Sequence, residues 1–149
     1  MTAWTTISES DLEDYQVAAL VEALRTAALG SSQDDPFSEI ASDRIAYIRN
    51  RIAGRVTLSG TANTVPPELK AQTCWLILES MNNRLGIEPN QSQRDMIKRA
   101  YDDLKIAGTK DFAVSSADDA ETPEVETGGG FSLANTPTGT ITRQDMAGL

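Results

Sequence analysis

Residues 66–85, PPELKAQTCWLILESMNNRL, form the most apolar stretch of the chain and decide its fold. Two prolines open the stretch, and proline is favoured at the first position of a helix. Apolar residues then recur at helical spacing, which predicts a helix over 67–85. Leu76 and Ile77 widen the apolar surface, so we expect this helix to be central or to meet a second subunit. The main stripe comprises Ala71, Cys74, Trp75, Leu78, Met81 and Leu85.

Similar periodicity on both sides of this stretch predicts three more helices. Asp35 followed by Pro36 opens one of them, and Asn90 caps another. The sequence therefore predicts an all-α protein, a small bundle of four principal helices with an extended N-terminal arm at residues 1–7. The loop 56–65, rich in Thr, Ser and Gly, is expected to be irregular or to form a short hairpin arm. The four helices are expected near 8–29, 35–53, 67–85 and 91–107.

The start of the first helix has two alternatives. Ser10 with Glu13 has the spacing of a capping box, and so has Ser8 with Asp11. The stretch DLEDYQ is polar and poorly periodic, so a separate first turn that breaks near Tyr15 stays open beside one continuous helix.

One core is expected to draw on all four helices. Trp75 is its largest member, and truncation of a buried large aromatic side chain to alanine costs about 3–5 kcal/mol. The predicted core residues are Leu20, Leu24, Ile45, Ile48, Trp75, Leu78, Ile97 and Leu104.

The composition changes after Gly108, which divides the chain into a helical domain, 1–108, and an extended C-terminal tail, 109–149. The tail holds a short acidic run, a glycine triplet and single apolar residues spaced too widely to form a core. Two hypotheses stay open: a solubilising tail, or a segment that orders on a partner and buries those residues one by one. The candidate partner-binding residues of the tail are Phe131, Leu133, Ile141 and Met146.

The composition argues against an enzymatic function. The chain has no histidine and one cysteine, and its 22 Asp and Glu against 13 Lys and Arg give a formal net charge of −9. An acidic surface repels nucleic-acid phosphates, and no apolar run suggests a membrane span. Cys74 lies mid-helix on the apolar stripe, which favours a buried structural thiol over a nucleophile. We expect no catalytic, cofactor-binding or metal-ligating residues, and a chain made and used in a cytosol or carried in something assembled there.

Helix two carries one basic cluster, Arg44, Arg49 and Arg51, with Arg55 just beyond. For any single residue the commoner situation is a solvated helix face paired with local acids. The functional alternative is a contact strip that pairs with an acidic neighbour across a subunit interface. These four arginines, with Trp4 of the arm, complete the candidate partner-binding residues.

Several short stretches resemble the head–tail connector (adaptor, or head-completion) proteins of long-tailed bacteriophages. Each stretch is little more than a helix cap or an apolar spacing, so their order and spacing carry the resemblance over roughly residues 4–107. The stretches are WTTISESDL at 4–12, VEALRTAAL at 21–29, Asp35-Pro36 with Ile48-Arg49, VPPELK at 65–70 and Asn83-Arg84-Leu85.

The resemblance implies a structural virion protein that forms a ring, twelve subunits in that family, below the portal protein at the head–tail junction. Such a ring joins capsid to tail, extends the channel through which DNA passes without sequence-specific binding, and meets the next neck or tail component. The C-terminal segment in that family reaches toward the portal. Assembly would take place in the bacterial host cytoplasm, with no membrane involved. The alternative from a different class is a cytosolic helical adaptor or regulatory protein that binds another protein or DNA.

Overall fold

The computed structural model describes residues 2–14, 18–29 and 36–119. These ranges are mostly helical, which confirms the all-α class for the part described. They hold five α-helices, one 3-10 turn at Pro67–Leu69 and two short strands. In chain order the elements are β1 Thr5–Thr6, α1 Glu9–Glu13, α2 Ala18–Leu29, α3 Pro36–Ile52, β2 Thr64–Val65, α4 Lys70–Leu85 and α5 Gln91–Ile106.

The predicted continuous helix over 8–29 is divided. α1 ends at Glu13, Asp14 is its C-cap, and α2 begins at Ala18, with residues 15–17 outside the described part. The separate first turn is therefore the better of the two alternatives. The physical reason is that DLEDYQ contains only one strongly apolar residue, Leu12, to hold it against the core.

The caps at helix ends match the sequence well. Ser8 begins α1, and the Asp11 carboxylate accepts hydrogen bonds from the Ser8 backbone N–H at 2.8 Å and from its hydroxyl at 2.9 Å. Asn90 begins α5, where its side-chain oxygen accepts from the Gln93 backbone N–H at 2.9 Å. Gly86 ends α4 with a φ of 67°, a conformation that favours glycine. These local signals work because each joins neighbouring residues along the chain.

α4 is the central helix of the domain. It packs against α5, α3, α2 and α1, so apolar side chains are needed around most of its circumference. Leu76, Ile77 and Leu78 are consecutive and all buried. This wide apolar surface is covered within the chain, which confirms the central position.

The core forms two clusters, and not every predicted residue is buried. Leu24, Ile45 and Ile48 are buried as expected, whereas Leu20 and Trp75 are half-buried. One cluster joins α1, α2 and the first half of α3 to α4: Leu12, Val21, Leu24, Phe37, Ile40, Ala41, Cys74, Ile77, Leu78 and Met81. The other joins the second half of α3 to α4, α5 and both flanking segments: Trp4, Ile45, Ile48, Ile52, Val65, Leu69, Leu76, Leu104, Ala107 and Ala117.

The N-terminal arm pairs with the long loop. β1 and β2 are antiparallel, with Thr5 opposite Val65 and Thr6 opposite Thr64. The loop 56–65 therefore makes no hairpin of its own, since its end pairs with a distant segment. This small sheet fixes the arm to the domain.

Residues 109–119 belong to the helical domain, so the predicted start of the tail at 109 is too early. Gly108 turns the chain with a φ of 82°, and a Cβ there would lie 2.7 Å from Cδ of Arg55. Both features require glycine. The chain then runs back along the domain, where Phe112 packs on the core and Ala117 is fully buried. These buried residues extend the domain to at least Asp119, although no local sequence pattern predicts their burial.

Candidate assembly interface

Three segments that are distant in sequence meet at one end of the domain. We call this meeting of residues 2–6, 57–65 and 112–119 the junction. The Thr2 backbone N–H donates to the Ser116 carbonyl at 3.0 Å, and the Ala117 N–H donates to the Thr57 carbonyl at 3.1 Å. The arm, the loop and the last described residues are thus joined by direct backbone hydrogen bonds.

Arg49 lies at the centre of the junction. Its guanidinium donates to the Ser59 carbonyl at 2.6 Å and to the Thr64 carbonyl at 3.1 Å. It also lies over the Trp4 ring, with Cζ at 5.3 Å from the ring centroid, a cation–π geometry. The Trp4 indole N–H donates to the Ser115 carbonyl at 3.2 Å. One arginine therefore ties the loop to the arm, and the arm in turn holds the C-terminal segment.

Asp119 is the last described residue, and the loop of the junction holds it in place. Its carboxylate accepts from the Ser59 hydroxyl at 2.7 Å and from the Thr61 hydroxyl at 2.8 Å. These two hydrogen bonds lower the pKa of Asp119, because they stabilise its ionised form. The Gly60 N–H also donates to the Asp119 carbonyl at 2.9 Å. The last described residue is thus held at a defined place beside the N-terminal arm.

The strip of four arginines predicted on helix two does not act as a unit. Arg49 faces the junction, and Arg55 donates to the backbone carbonyls of Lys105 and Ala107. Both side chains thus bind backbone carbonyls within the domain, and their role as partner-binding residues stays a prediction. A helix turns through about 100° per residue, so four arginines within twelve positions do not share one face. Arg51 is exposed and Arg44 half-buried, and these two remain candidates.

The other predicted partner-binding residues have two outcomes. Trp4 is only 8% exposed and belongs to the core of the subunit, and its assignment as a partner contact stays a prediction. Its isolation among polar neighbours in the sequence gave no sign of this. The four tail residues lie outside the described residues: Phe131, Leu133, Ile141 and Met146.

A basic groove that sequence reasoning missed lies along α4 and α5. A cavity of about 410 Å³ is lined by Glu79 of α4 and by Lys98, Tyr101 and Lys105 of α5, among others. The spacing of the three α5 residues places them on one helix face, and this was the available signal. From α3, Arg44 and Tyr47 lie near enough to Tyr101 to influence its ionisation. Arg51 lies seven residues after Arg44 and therefore on the same face of α3. We define the basic groove as Arg44, Tyr47, Arg51, Lys98, Tyr101 and Lys105.

Tyr101 forms the middle of the basic groove. Its hydroxyl donates to the Glu79 carboxylate at 2.6 Å. Burial and, after it, the hydrogen bond to the negative Glu79 together raise the pKa of Tyr101 to about 12. The phenol is therefore neutral under physiological conditions and acts as a donor. Glu79 keeps its negative charge in this hydrogen bond, so the groove holds carboxylates, Glu79 and Asp102, as well as cations.

The negative charge of the chain lies at its two ends. Residues 36–110 hold eleven Lys and Arg against eight Asp and Glu, a net charge of +3. Residues 1–35 hold seven acids and one arginine, and residues 111–149 again hold seven acids and one arginine, so each end carries −6. A mildly basic helical centre is thus flanked by two strongly acidic segments.

Cys74 is 1% exposed within the first core cluster, which confirms its prediction as a buried thiol. Burial raises the pKa of the Cys74 thiol to about 12, since a thiolate would lose its hydration there.

We therefore expect Cys74 to react slowly in the folded chain. At about pH 8 the thiolate fraction is roughly 10⁻⁴ for a pKa near 12, but about a quarter for an ordinary thiol with a pKa near 8.5. An aromatic disulfide reagent that releases a coloured thiolate should react at least ~10³-fold more slowly with the native chain than with the urea-unfolded chain. Native and unfolded rates within tenfold of each other would place Cys74 at the surface.

Within the described ranges no three or more Cys, Asp or Glu side chains cluster in a way that could hold a metal ion. None of the helices described is both long and apolar enough to cross a membrane. Comparison of the chain with protein-family models, with curated proteins and with solved structures finds no match. The described part of the chain is a small, mostly helical domain whose last described residue is held by a loop and which carries a basic groove.

Proposed function

We propose that this chain is a structural, non-enzymatic subunit of the neck of a long-tailed bacteriophage. It forms a ring below the portal protein that joins the capsid to the next neck or tail component and extends the DNA channel. Its place is the virion, with assembly in the bacterial host cytoplasm. The observation that carries the proposal is the junction, which starts a long C-terminal segment from a fixed point on a domain with its own core.

The energetics of the junction support an assembly role. Ordering a segment costs about 1–2 kcal/mol per residue in backbone entropy. A partner-binding segment that starts from a residue already held in place has fewer residues left to order. Asp119, held by Ser59 and Thr61, is such a residue. The 30 residues after it contain spaced apolar side chains that suit a partner's surface, the portal subunit or the adjacent subunit.

The charge of the chain suits a DNA channel. Net charge of −9 repels phosphate, so DNA that passes through such a ring slides without being held. Ring closure needs two different, complementary faces on each subunit. The acidic ends and the basic groove offer such a pair of faces.

A second candidate, a cytosolic helical adaptor or regulator that binds another protein or DNA, draws on one specific observation. Arg51 and Lys98 of the basic groove are exposed and have no carboxylate within ion-pair distance among the described residues. The overall charge weakens the DNA-binding form of this candidate.

Electron microscopy of phage particles made with and without the chain tests the proposal. Without the chain we expect filled heads and complete tails that stay separate, and adding the purified chain should restore joined particles. Gold-labelled antibody against the chain should mark the neck. Joined particles at normal yield in its absence, or label elsewhere on the virion, would contradict the proposal. Specific retention of the chain on duplex DNA at physiological salt would favour the second candidate.

A further inference from the structure

The two ends of the described chain hold each other at the junction. We call residues 112–119 the strap. The Thr2 backbone N–H donates to the Ser116 carbonyl at 3.0 Å, and the Asp118 N–H donates back to the Thr2 carbonyl at 3.3 Å. Thr2 also lies opposite Ala117 in a parallel bridge. The arm and the strap therefore pair as two short strands do, although they are far apart in the sequence.

The arm and the strap bury few side chains. Within the strap only Ala117 is buried, while Phe112 and Val114 are half-buried. Within residues 2–6 of the arm, Trp4 is the one buried residue. Local opening is easiest where few apolar side chains are buried and the backbone hydrogen bonds lie near the surface. The arm and the strap are thus held less firmly than the helices of the core.

The loop of the junction has its own attachment to α3. The Arg49 guanidinium donates to the carbonyls of Ser59 and Thr64, at 2.6 Å and 3.1 Å. The Ser42 hydroxyl donates to the side-chain oxygen of Asn63 at 3.1 Å. None of these bonds involves the arm or the strap. The loop therefore stays with the helices and forms the base on which the other two segments close.

The arm and the strap meet this loop at different points. The arm pairs with its end, where Thr5 lies opposite Val65. The strap meets its middle, where the Asp119 carboxylate accepts from the Ser59 and Thr61 hydroxyls. Each segment thus has one attachment to the loop and a second attachment to the other segment. Release of one segment removes half of the attachments of the other.

We propose that the arm and the strap form a latch, one unit that opens and closes together while helices α2 to α5 stay folded. Release of either end of the latch releases the other. Coupling of this kind is reciprocal, so a partner that binds beyond Asp119 and holds the strap closed also strengthens the arm by the same factor. The latch is a property of the single chain and does not depend on the proposed function.

Hydrogen exchange in the full-length chain, measured by NMR, tests the latch from the strap side. Asp119→Ala removes the acceptor of two hydroxyl hydrogen bonds at an exposed position. We expect the Trp4 indole N–H and the Ala117 N–H to exchange about fivefold faster or more, and by the same factor, because one opening exposes both. The matched control is Asp118→Ala, which makes the same charge change at the adjacent exposed position. It should change both rates less than about twofold, since the Asp118 side chain makes no hydrogen bond or ion pair among the described residues.

A second variant tests the latch from the arm side. Trp4→Phe keeps an aromatic ring in the core but removes the N–H that donates to the Ser115 carbonyl. The reporter is the Gly60 N–H, which donates to the Asp119 carbonyl at 2.9 Å and so joins the loop to the strap. Its exchange should speed up at least about tenfold. Trp75→Phe changes the other tryptophan, outside the junction, and should leave the Gly60 rate unchanged. Circular dichroism checks that every variant is folded.

Three results would overturn the inference. The Trp4 indole and Ala117 protons respond to Asp119→Ala by different factors, or no more than to Asp118→Ala. The Gly60 proton is unaffected by Trp4→Phe. The junction protons of the wild type exchange as slowly as the buried amides of α4, which would mean that the latch opens only when the whole domain unfolds. If Trp4→Phe does not fold, the comparison of the two exposed aspartates still decides. Absence of the chain from the neck leaves the latch intact, and failure of the latch leaves the proposed function intact.

Discussion

Replacing Trp4 by alanine is expected to lower the free energy of unfolding by about 3–5 kcal/mol, the range measured for buried large aromatic residues. The indole packs in the second core cluster, which includes Ile45, Ile48 and Leu76, and its N–H donates to the Ser115 carbonyl. Its removal leaves a cavity and also releases the aromatic partner of Arg49. Urea titration followed by circular dichroism measures the loss. Hydrogen exchange should show the largest loss of protection at the junction.

Trp75 provides the control for Trp4. It is half-buried, so part of its ring is already in water and its truncation removes less buried surface. The sequence alone predicts the large loss of stability, about 3–5 kcal/mol, for truncation of Trp75. The structure assigns a loss of that size to Trp4 instead. A loss below about 1 kcal/mol for Trp4→Ala, the range of surface substitutions, would contradict the position of Trp4 in the core.

Deleting residues 128–149 is expected to abolish head–tail joining while leaving the domain folded. The deletion touches no residue of the junction, so the free energy of unfolding should change by less than about 0.5 kcal/mol. Phe131, Leu133, Ile141 and Met146 are removed together, and with them the apolar contacts proposed for a partner. Urea titration measures stability, and counts of joined particles by electron microscopy measure function.

A longer deletion separates the domain from the tail. Removing residues 112–149 also takes away Phe112, Val114 and Ala117, which pack on the second core cluster. We expect this deletion to destabilise the domain strongly, since apolar surface on α3 and α4 becomes exposed. Joined particles at normal yield with the shorter deletion would show that the last 22 residues take no part in assembly. Equal stability of the two truncated chains would place the domain boundary back at Gly108.

The candidate site was less predictable than the helices that build it. Arg44 and Arg51 were identified from the sequence and stay exposed or half-exposed, but Arg49 and Arg55 are committed to backbone carbonyls. The sequence does not show whether an arginine contacts water or a loop. The carbonyls that Arg49 and Arg55 bind lie ten or more residues away in the chain. The position of Tyr101 near Arg44 follows only from the packing of both α3 and α5 on α4.

The sequence by itself determined the helices and most of their ends, since periodicity, capping pairs and proline or glycine signals act between residues one to four positions apart. It also determined the central place of α4, whose apolar residues cover most of its circumference. Only the tertiary structure decided that Trp4 is core, that the arm pairs with residues 64–65, and that residues 109–119 return to the domain. Those outcomes depend on contacts across 50 to more than 100 residues, such as Trp4 to Ser115, for which the chain carries no local pattern.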